Sequence, residues 1–248
     1  MKILITGATS GIGEELALEY AKAGHNVIAC GRNESKLTQL KRLQPSIEPL
    51  CFDLTDFDNY PVIQSGGQQD PNVKSNEPPL DLLILNAGDC EYIDDALNFD
   101  AQKFERVINI NLISVGYGLQ AWLKRIKPGG RLVLVSSSAE LLPLPRAEAY
   151  GASKAALSYL GKVLAIQLKQ HDINVSVVRP GFVKTPLTDK NTFAMPMMVS
   201  TQEAAHAIIS GLSKGKSDIS FPTVFIVIMK CLRFLPSSIW NQLATRMG

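Results

Sequence analysis

The stretch Lys2-Ile3-Leu4-Ile5-Thr6-Gly7-Ala8-Thr9-Ser10-Gly11-Ile12-Gly13 joins a short apolar run to a longer amphipathic segment, Gly11 to Ala23. The apolar run fits a buried strand, and the amphipathic segment has helical periodicity. The three glycines therefore sit at a strand-to-helix turn. There a missing Cβ lets backbone N–H groups approach a pyrophosphate, and the helix N-terminus adds favourable electrostatics. Their spacing differs from the GxGxxG fingerprint, so a plain glycine-rich turn is the alternative reading of this motif taken alone.

Outward from this turn the same rhythm continues. Asn26 to Cys30 reads as a strand and Glu34 to Leu43 as a helix. Further strand candidates lie at Ile47 to Phe52, Leu80 to Asn86, Arg131 to Ser136, Asn174 to Val178 and Ile219 to Phe221, with helical patterns between most of them. Such alternation implies an α/β fold: a three-layer, Rossmann-type, doubly wound parallel sheet with helices on both faces. A length of 248 residues with 46% hydrophobic side chains suits one domain. Residues 1–136 hold the glycine turn and most of the strand candidates, and residues 137–248 end in an apolar C-terminal segment. Gln64 to Pro79 breaks the rhythm, being polar and carrying Gly66, Gly67, Pro71, Pro78 and Pro79. It reads as a shortened helix followed by a loop, tolerated as a surface insertion.

Composition excludes several functions. The net charge is only +2 and the charges are scattered, so the electrostatic footprint of a nucleic-acid binder is missing. Cys30, Cys51, Cys90 and Cys231 form no CxxC pair and read as buried, reduced thiols; His25, His171 and His206 are isolated, and no metal site is expected. Met1 to Thr6 leaves no room for a secretory leader, from which we expect a cytoplasmic location. Phe221 to Met229 contains Pro222 and is followed by Lys230 and Arg233, short of the roughly 20 apolar residues that span a bilayer. The whole tail to Trp240 is nonetheless unusually apolar. Core packing or a subunit interface is expected there ahead of shallow attachment to a membrane surface.

The second strand ends at Cys30-Gly31-Arg32-Asn33, where an acid would ordinarily receive the ribose 2′-hydroxyl. Instead Gly31 leaves space and Arg32 offers a planar cation suited to a 2′-phosphate, which favours NADP(H) over NAD(H). A solvated surface charge is the alternative for Arg32. Asp53, just past the third strand, is placed either to reach an adenine or to cap a following helix.

In Tyr150-Gly151-Ala152-Ser153-Lys154 the tyrosine and lysine share a helix face, four residues apart. A free tyrosine titrates near 10, so acid/base work near neutrality asks for a downward shift of about three units, toward which an adjacent ammonium contributes. Ser136, Ser137 and Ser138 end the fifth strand, at the carboxyl edge where open α/β sheets bind ligands. A hydroxyl there can hold a carbonyl oxygen, although serines also simply end strands and cap the next element.

Together these residues resemble the classical short-chain dehydrogenase/reductases from Lys2 to about Thr188. The likeness rests on the turn Thr6 to Gly13, Asp53, Asn86-Ala87-Gly88, Ile110-Asn111-Leu112, the serine strand end, Tyr150 with Lys154, and Arg179-Pro180-Gly181 followed by Thr185. The resemblance implies interconversion of a carbonyl and an alcohol with a nicotinamide cofactor, with Tyr150 as general acid/base. Lys154 would lower its pKa and bind the nicotinamide ribose. Ser137 would orient the substrate oxygen, with Ser138 as fallback, and Asn111, ahead of Asn109, would hold a water in the proton relay through its backbone. It further implies a cofactor site built from Gly7, Thr9, Ser10, Gly11, Ile12, Gly13, Arg32, Asp53, Leu54, Asn86, Ala87, Gly88, Tyr150, Lys154, Pro180, Gly181, Val183 and Thr185. Asn86 to Gly88 would line the adenosine side, and Val183 and Thr185 would fix the carboxamide. A homodimer or homotetramer built on the helices after Ala101 and Tyr150 is the implied assembly. Ser10 stands where relatives that use NADP often carry a basic residue, so Arg32 alone supports the phosphate.

The segment Pro186 to Val199 carries Leu187, Phe193, Met195, Met197 and Met198, side chains that suit an adaptable apolar pocket for a small apolar substrate, or a lid packed on the core. A cofactor-binding regulatory or scaffold protein that lost its chemistry is the rival function.

Overall fold

The computed structural model describes residues 1–61, 79–191 and 193–245; Gln64 to Pro79 lies outside them apart from Pro79. Among the described residues seven parallel strands form one sheet: β1 (Lys2–Thr6), β2 (Asn26–Gly31), β3 (Ile47–Cys51), β4 (Leu80–Leu85), β5 (Ile126–Val135), β6 (Asn174–Pro180) and β7 (Asp218–Phe221). Their order is β3-β2-β1-β4-β5-β6-β7, so the winding reverses between β1 and β4.

The interior strands carry apolar residues on both faces, as a sheet sandwiched between helices must. Ile3, Ile5, Val27, Ala29 and Ile84 point into one core with Leu16, Ala17 and Tyr20 of α1 (Gly11–Lys22) and Ala204 and Ile208 of α6 (Thr201–Ser213). Leu4, Ile28, Leu83, Leu85 and Leu132 point into the opposite core. There they meet Val115 and Trp122 of α4 (Ser114–Trp122) and Leu157 of α5 (Glu148–Gln167). The remaining helices are α2 (Glu34–Leu43), α3 (Ala101–Ile108), α7 (Thr223–Leu232) and α8 (Ser237–Ala244). Between α3 and α4 the backbone opens into a π-helical turn, Asn109–Ile113.

Strand positions follow the sequence pattern, with one substantive difference. β5 begins at Ile126 rather than Arg131, because Ile126 pairs with Leu80 before a bulge that resumes at Arg131 opposite Leu82. Gly129 within it has φ +78°, a conformation apolar periodicity does not report. The thiols also depart from expectation: Cys30 is buried, Cys90 is half-buried, and Cys51 and Cys231 are exposed, all of them free. Among the described residues no helix is long and apolar enough to cross a membrane.

Candidate active site

A cleft of about 550 Å³ opens at the carboxyl ends of the strands, beside the point where the winding reverses. Its floor is the glycine turn. Gly7 and Gly11 take φ of +66° and +59°, and a Cβ on Gly13 would stand 2.3 Å from the Gly7 carbonyl oxygen and 2.5 Å from Asn86 Nδ2. Gly13 thus does not line the cleft; it lets α1 begin directly behind the turn. The Ser10 side chain makes no capping bond to α1, whereas Asn33 and Asp100 cap α2 and α3 by accepting from Lys36 N and Lys103 N. The first N–H groups of α1 are left for a ligand in the cleft.

The end of β4 is stitched to this turn. Thr6 Oγ1 accepts from Asn86 N at 3.0 Å and Ala87 N at 3.1 Å, and Asn86 Nδ2 donates to the Thr6 carbonyl at 3.0 Å. Gly88 sits close to Asn111 and Lys154: a Cβ there would lie 3.0 Å from Asn111 Oδ1 and 3.1 Å from Lys154 Nζ, a tight fit for any larger residue. Asn111, fully buried in the π-helical turn, donates from Nδ2 to the Asp89 carbonyl at 2.9 Å and Ser153 Oγ at 3.0 Å, and accepts from Asp89 N at 2.8 Å. Asn109, two residues earlier, lines the cleft, and Asn111 does not.

At the β2 end, Arg32 lines the cleft with its side chain 70% exposed and Nη1 3.4 Å from Asp53 Oδ2. Two expectations need correction here. The space beside Gly31 is filled by Thr9, whose Cγ2 would lie 2.5 Å from a Cβ, so this glycine serves packing of the turn. Asp53 caps no helix: its Oδ1 accepts from Thr55 N at 2.8 Å and Thr55 Oγ1 at 2.7 Å, closing a turn, and residues 54–61 are turn and loop. Asp53 does not line the cleft; its neighbours Phe52, Leu54 and Thr55 do.

Tyr150 and Lys154 project from the first turns of α5 into the same wall as Ser137. Lys154 is 3% exposed, donates from Nζ to the Val135 carbonyl at 3.0 Å, and lies 5.7 Å from the centroid of the Tyr150 ring. Burial depresses its pKa to about 8, opposed by the nearby Cys90 and Glu140. Burial pushes the Tyr150 phenol up to about 12, with a hydrogen bond to Ser137 acting the other way. Burial is thus the largest influence on the Tyr150 phenol in this cleft.

The three serines have separate tasks. Ser137 Oγ accepts from Ala139 N at 3.1 Å and faces Tyr150. Ser136 Oγ lies 2.8 Å from the Lys154 carbonyl and 2.7 Å from Glu140 Oε2, and Ser138 does not line the cleft. Beneath them runs a charge network that sequence reasoning missed, buried at Arg179 and Glu140 and reaching the surface at Asp218. Arg179 Nε donates to Glu140 Oε1 at 2.5 Å, Arg179 Nη1 pairs with Asp218, and Ser158 Oγ bonds Glu140. No local motif announces it, because its members lie on β6, β7, α5 and the segment after β5.

Opposite Tyr150, the loop after β6 brings Pro180, Gly181, Val183 and Thr185 to the cleft. Thr188, also missed, holds that loop by donating to the Val183 carbonyl at 2.7 Å and accepting from Thr185 N at 2.9 Å. Of the apolar residues expected to form a substrate pocket, only Leu187 lines the cleft; Phe193, Met197 and Met198 are exposed and Met195 is half-buried. The mouth is instead charged, with Asp89 3.5 Å from Lys190 and Glu91 bidentate to Arg106 at 2.9 and 2.8 Å. Among the described residues no group of three or more His, Cys, Asp or Glu side chains is placed to hold a metal ion.

Comparison with known proteins gives the family and the fold. The short chain dehydrogenase family profile matches residues 1–195. An uncharacterized oxidoreductase of Myxococcus xanthus is 32% identical over 256 aligned positions, covering 98% of this chain and 96% of the relative. L-xylulose reductase of Mus musculus is 33% identical, covering 77% and 75%. In fold, the chain is similar to a short-chain dehydrogenase from Sphingobium yanoikuyae in complex with NADPH, with a TM-score of 0.75, 24% identity and coverage of 99% and 92%. It is equally similar to a short-chain dehydrogenase/reductase from Burkholderia phymatum in complex with NAD, with a TM-score of 0.76, 18% identity and coverage of 92% and 91%. On the family match over residues 1–195 and a relative 32% identical across 98% of this chain, the chain belongs to the short-chain dehydrogenase family of oxidoreductases.

Proposed function

We propose that this oxidoreductase reduces a small carbonyl compound to an alcohol, or runs the reverse reaction, with NADP(H) in preference to NAD(H). The observation that carries the reading is the convergence of Tyr150, Lys154 and Ser137 on one wall of a cleft whose floor is the glycine turn. The cleft residues fit a dinucleotide: the turn, the uncapped first N–H groups of α1 and Arg32 suit its phosphates, and Pro180 to Thr185 face Tyr150 across the far end. When bound, the nicotinamide supplies hydride chemistry.

The protein's own residues supply orientation and a proton. Ser137 holds the substrate oxygen, and Tyr150 donates its phenolic proton to that oxygen. Burial keeps the phenol protonated at neutral pH, the form that donates, and the tyrosinate left behind, which the reverse reaction needs at the outset, requires the nearby Lys154 cation. Lys154, held by the Val135 carbonyl, binds the cofactor ribose and places positive charge near the tyrosinate that forms. Asn111 keeps the π-helical turn and the Asp89 backbone in register beside Lys154.

NADP(H) preference rests on Arg32 and on the absence of an acid at the end of β2. Leu187 and Pro186 offer an apolar wall, while Asp89, Glu91, Arg106 and Lys190 line the mouth, so the substrate has a short apolar body and a polar end. The assembly is a homodimer or homotetramer, as the family resemblance implies. A panel of small ketones and aldehydes with NADPH and NADH side by side tests the reading. Turnover with NADPH well above NADH supports it, and no turnover with either across the panel overturns it in favour of a binding protein without chemistry.

A further inference from the structure

The C-terminal helices use only half of their apolar surface inside the fold. Phe225, Ile226 and Met229 of α7 and Trp240 and Ala244 of α8 are buried against Leu141, Leu142, Leu144 and Phe182, and Trp240 Nε1 donates to the Pro143 carbonyl at 3.0 Å. The other side of α7 is apolar as well. Val224, Val227, Ile228 and Cys231 recur at helical spacing on an outward stripe, exposed, with Val224 at 61%. Phe234, 87% exposed, continues the stripe beyond the helix, and Ile239 and Leu243 continue it on α8 one turn apart.

Charge decides what covers this face. From Ile219 to Gly248 the sequence contains no Asp or Glu, while Lys230 and Arg233 stand exposed beside the apolar stripe. A second copy docked through the same two helices would bring up a surface of the same sign, since neither α7 nor α8 has a carboxylate to pair Lys230 or Arg233. An anionic lipid surface supplies the missing charge and accepts the apolar side chains between its headgroups.

We propose that α7 and α8 dock the protein on the surface of an anionic lipid bilayer, with Val224, Val227, Ile228, Phe234, Ile239 and Leu243 entering the interface and Lys230 and Arg233 meeting lipid phosphates. The docked face adjoins the substrate loop through a chain of tilted and edge-on aromatics: Phe225 meets Phe182 at 5.4 Å between centroids, and Phe182 meets Phe193 of that loop at 6.1 Å. Attachment is peripheral, because neither helix is long enough to span.

Flotation of the full chain with vesicles tests this, using phosphatidylcholine alone and phosphatidylcholine with a third phosphatidylglycerol. The protein is expected to float with the anionic vesicles and to be released by high salt. Replacing Lys230→Gln together with Arg233→Gln is expected to weaken partitioning roughly 30-fold, and Phe234→Asp roughly 10-fold or more, with circular dichroism unchanged. Wild-type protein that stays at the bottom with anionic vesicles overturns the proposal, as does equal flotation on both vesicle types. Oligomers that Val227→Asp converts to monomers, without vesicle binding by the wild type, overturn it in favour of self-association.

Discussion

Replacing Lys154→Met separates what this residue costs the fold from what it gives the site. Its side chain is 3% exposed, and its pKa falls from 10.5 to about 8 because burial disfavours the ammonium. A depression of about two and a half units corresponds to ~3 kcal/mol between the protonated and neutral forms. The sign follows from proton binding: between about pH 8 and pH 10.5 the unfolded chain holds a proton that the folded chain has released, so wild-type stability rises with pH across that window and the gain is lost as pH falls through 8. Methionine has similar length and no charge. It removes the burial cost but strands the Val135 carbonyl, which loses its 3.0 Å donor at about 1–3 kcal/mol. At about pH 7 the variant should therefore be as stable as the wild type or up to ~2 kcal/mol more stable, while turnover falls by orders of magnitude. Urea unfolding of both proteins at about pH 7 and about pH 9.5 reads the effect: the wild type should gain about 2 kcal/mol relative to the variant between the two. A difference that does not change with pH would refute the reasoning.

Two further outcomes are expected at the site. Arg32→Ala should raise KM for NADPH roughly 10- to 100-fold and leave that for NADH within about twofold, since only the former has a phosphate for the guanidinium; equal effects on both would make Arg32 a bystander. Glu140→Ala should destabilise the protein by about 2–3 kcal/mol in denaturant titration, because Arg179 is then left buried with Asp218 alone. A loss below about 0.5 kcal/mol would mean that the network is not coupled to the fold.

Much of the fold was legible because buried parallel strands announce themselves. Lys2–Thr6 and Asn26–Gly31 are short apolar runs bounded by turn residues, and each is followed by a helix with a clear apolar face. The extra length of β5 was not, since Lys127-Pro128-Gly129-Gly130 is polar and turn-like, and pairs only because Leu80 brings a partner to Ile126. At the site, spacing along one helix placed Tyr150 beside Lys154, and the glycine turn followed from a single strand-to-helix junction. Residues whose place depends on distant segments could not be read that way. Asp53 was positioned correctly along the chain, yet whether it faced the cleft or closed a turn depended on Thr55 and Arg32. The Glu140–Arg179 pair and the charged mouth of Asp89, Glu91, Arg106 and Lys190 exist only in three dimensions. In the segment Pro186 to Val199, which the sequence left open between pocket and lid, hydrophobicity did not report placement: Leu187 lines the cleft while Phe193, Met197 and Met198 are exposed.

The central claim is that Tyr150 carries the proton while the surrounding cleft holds the cofactor, and the Tyr150→Phe variant tests it most directly. Fluorescence titration with NADPH and steady-state turnover on the same carbonyl substrate should show binding within about twofold of wild type and turnover reduced at least ~100-fold, the scale of a lost general acid. Near-normal turnover in that variant, with NADPH binding intact, would contradict the assignment.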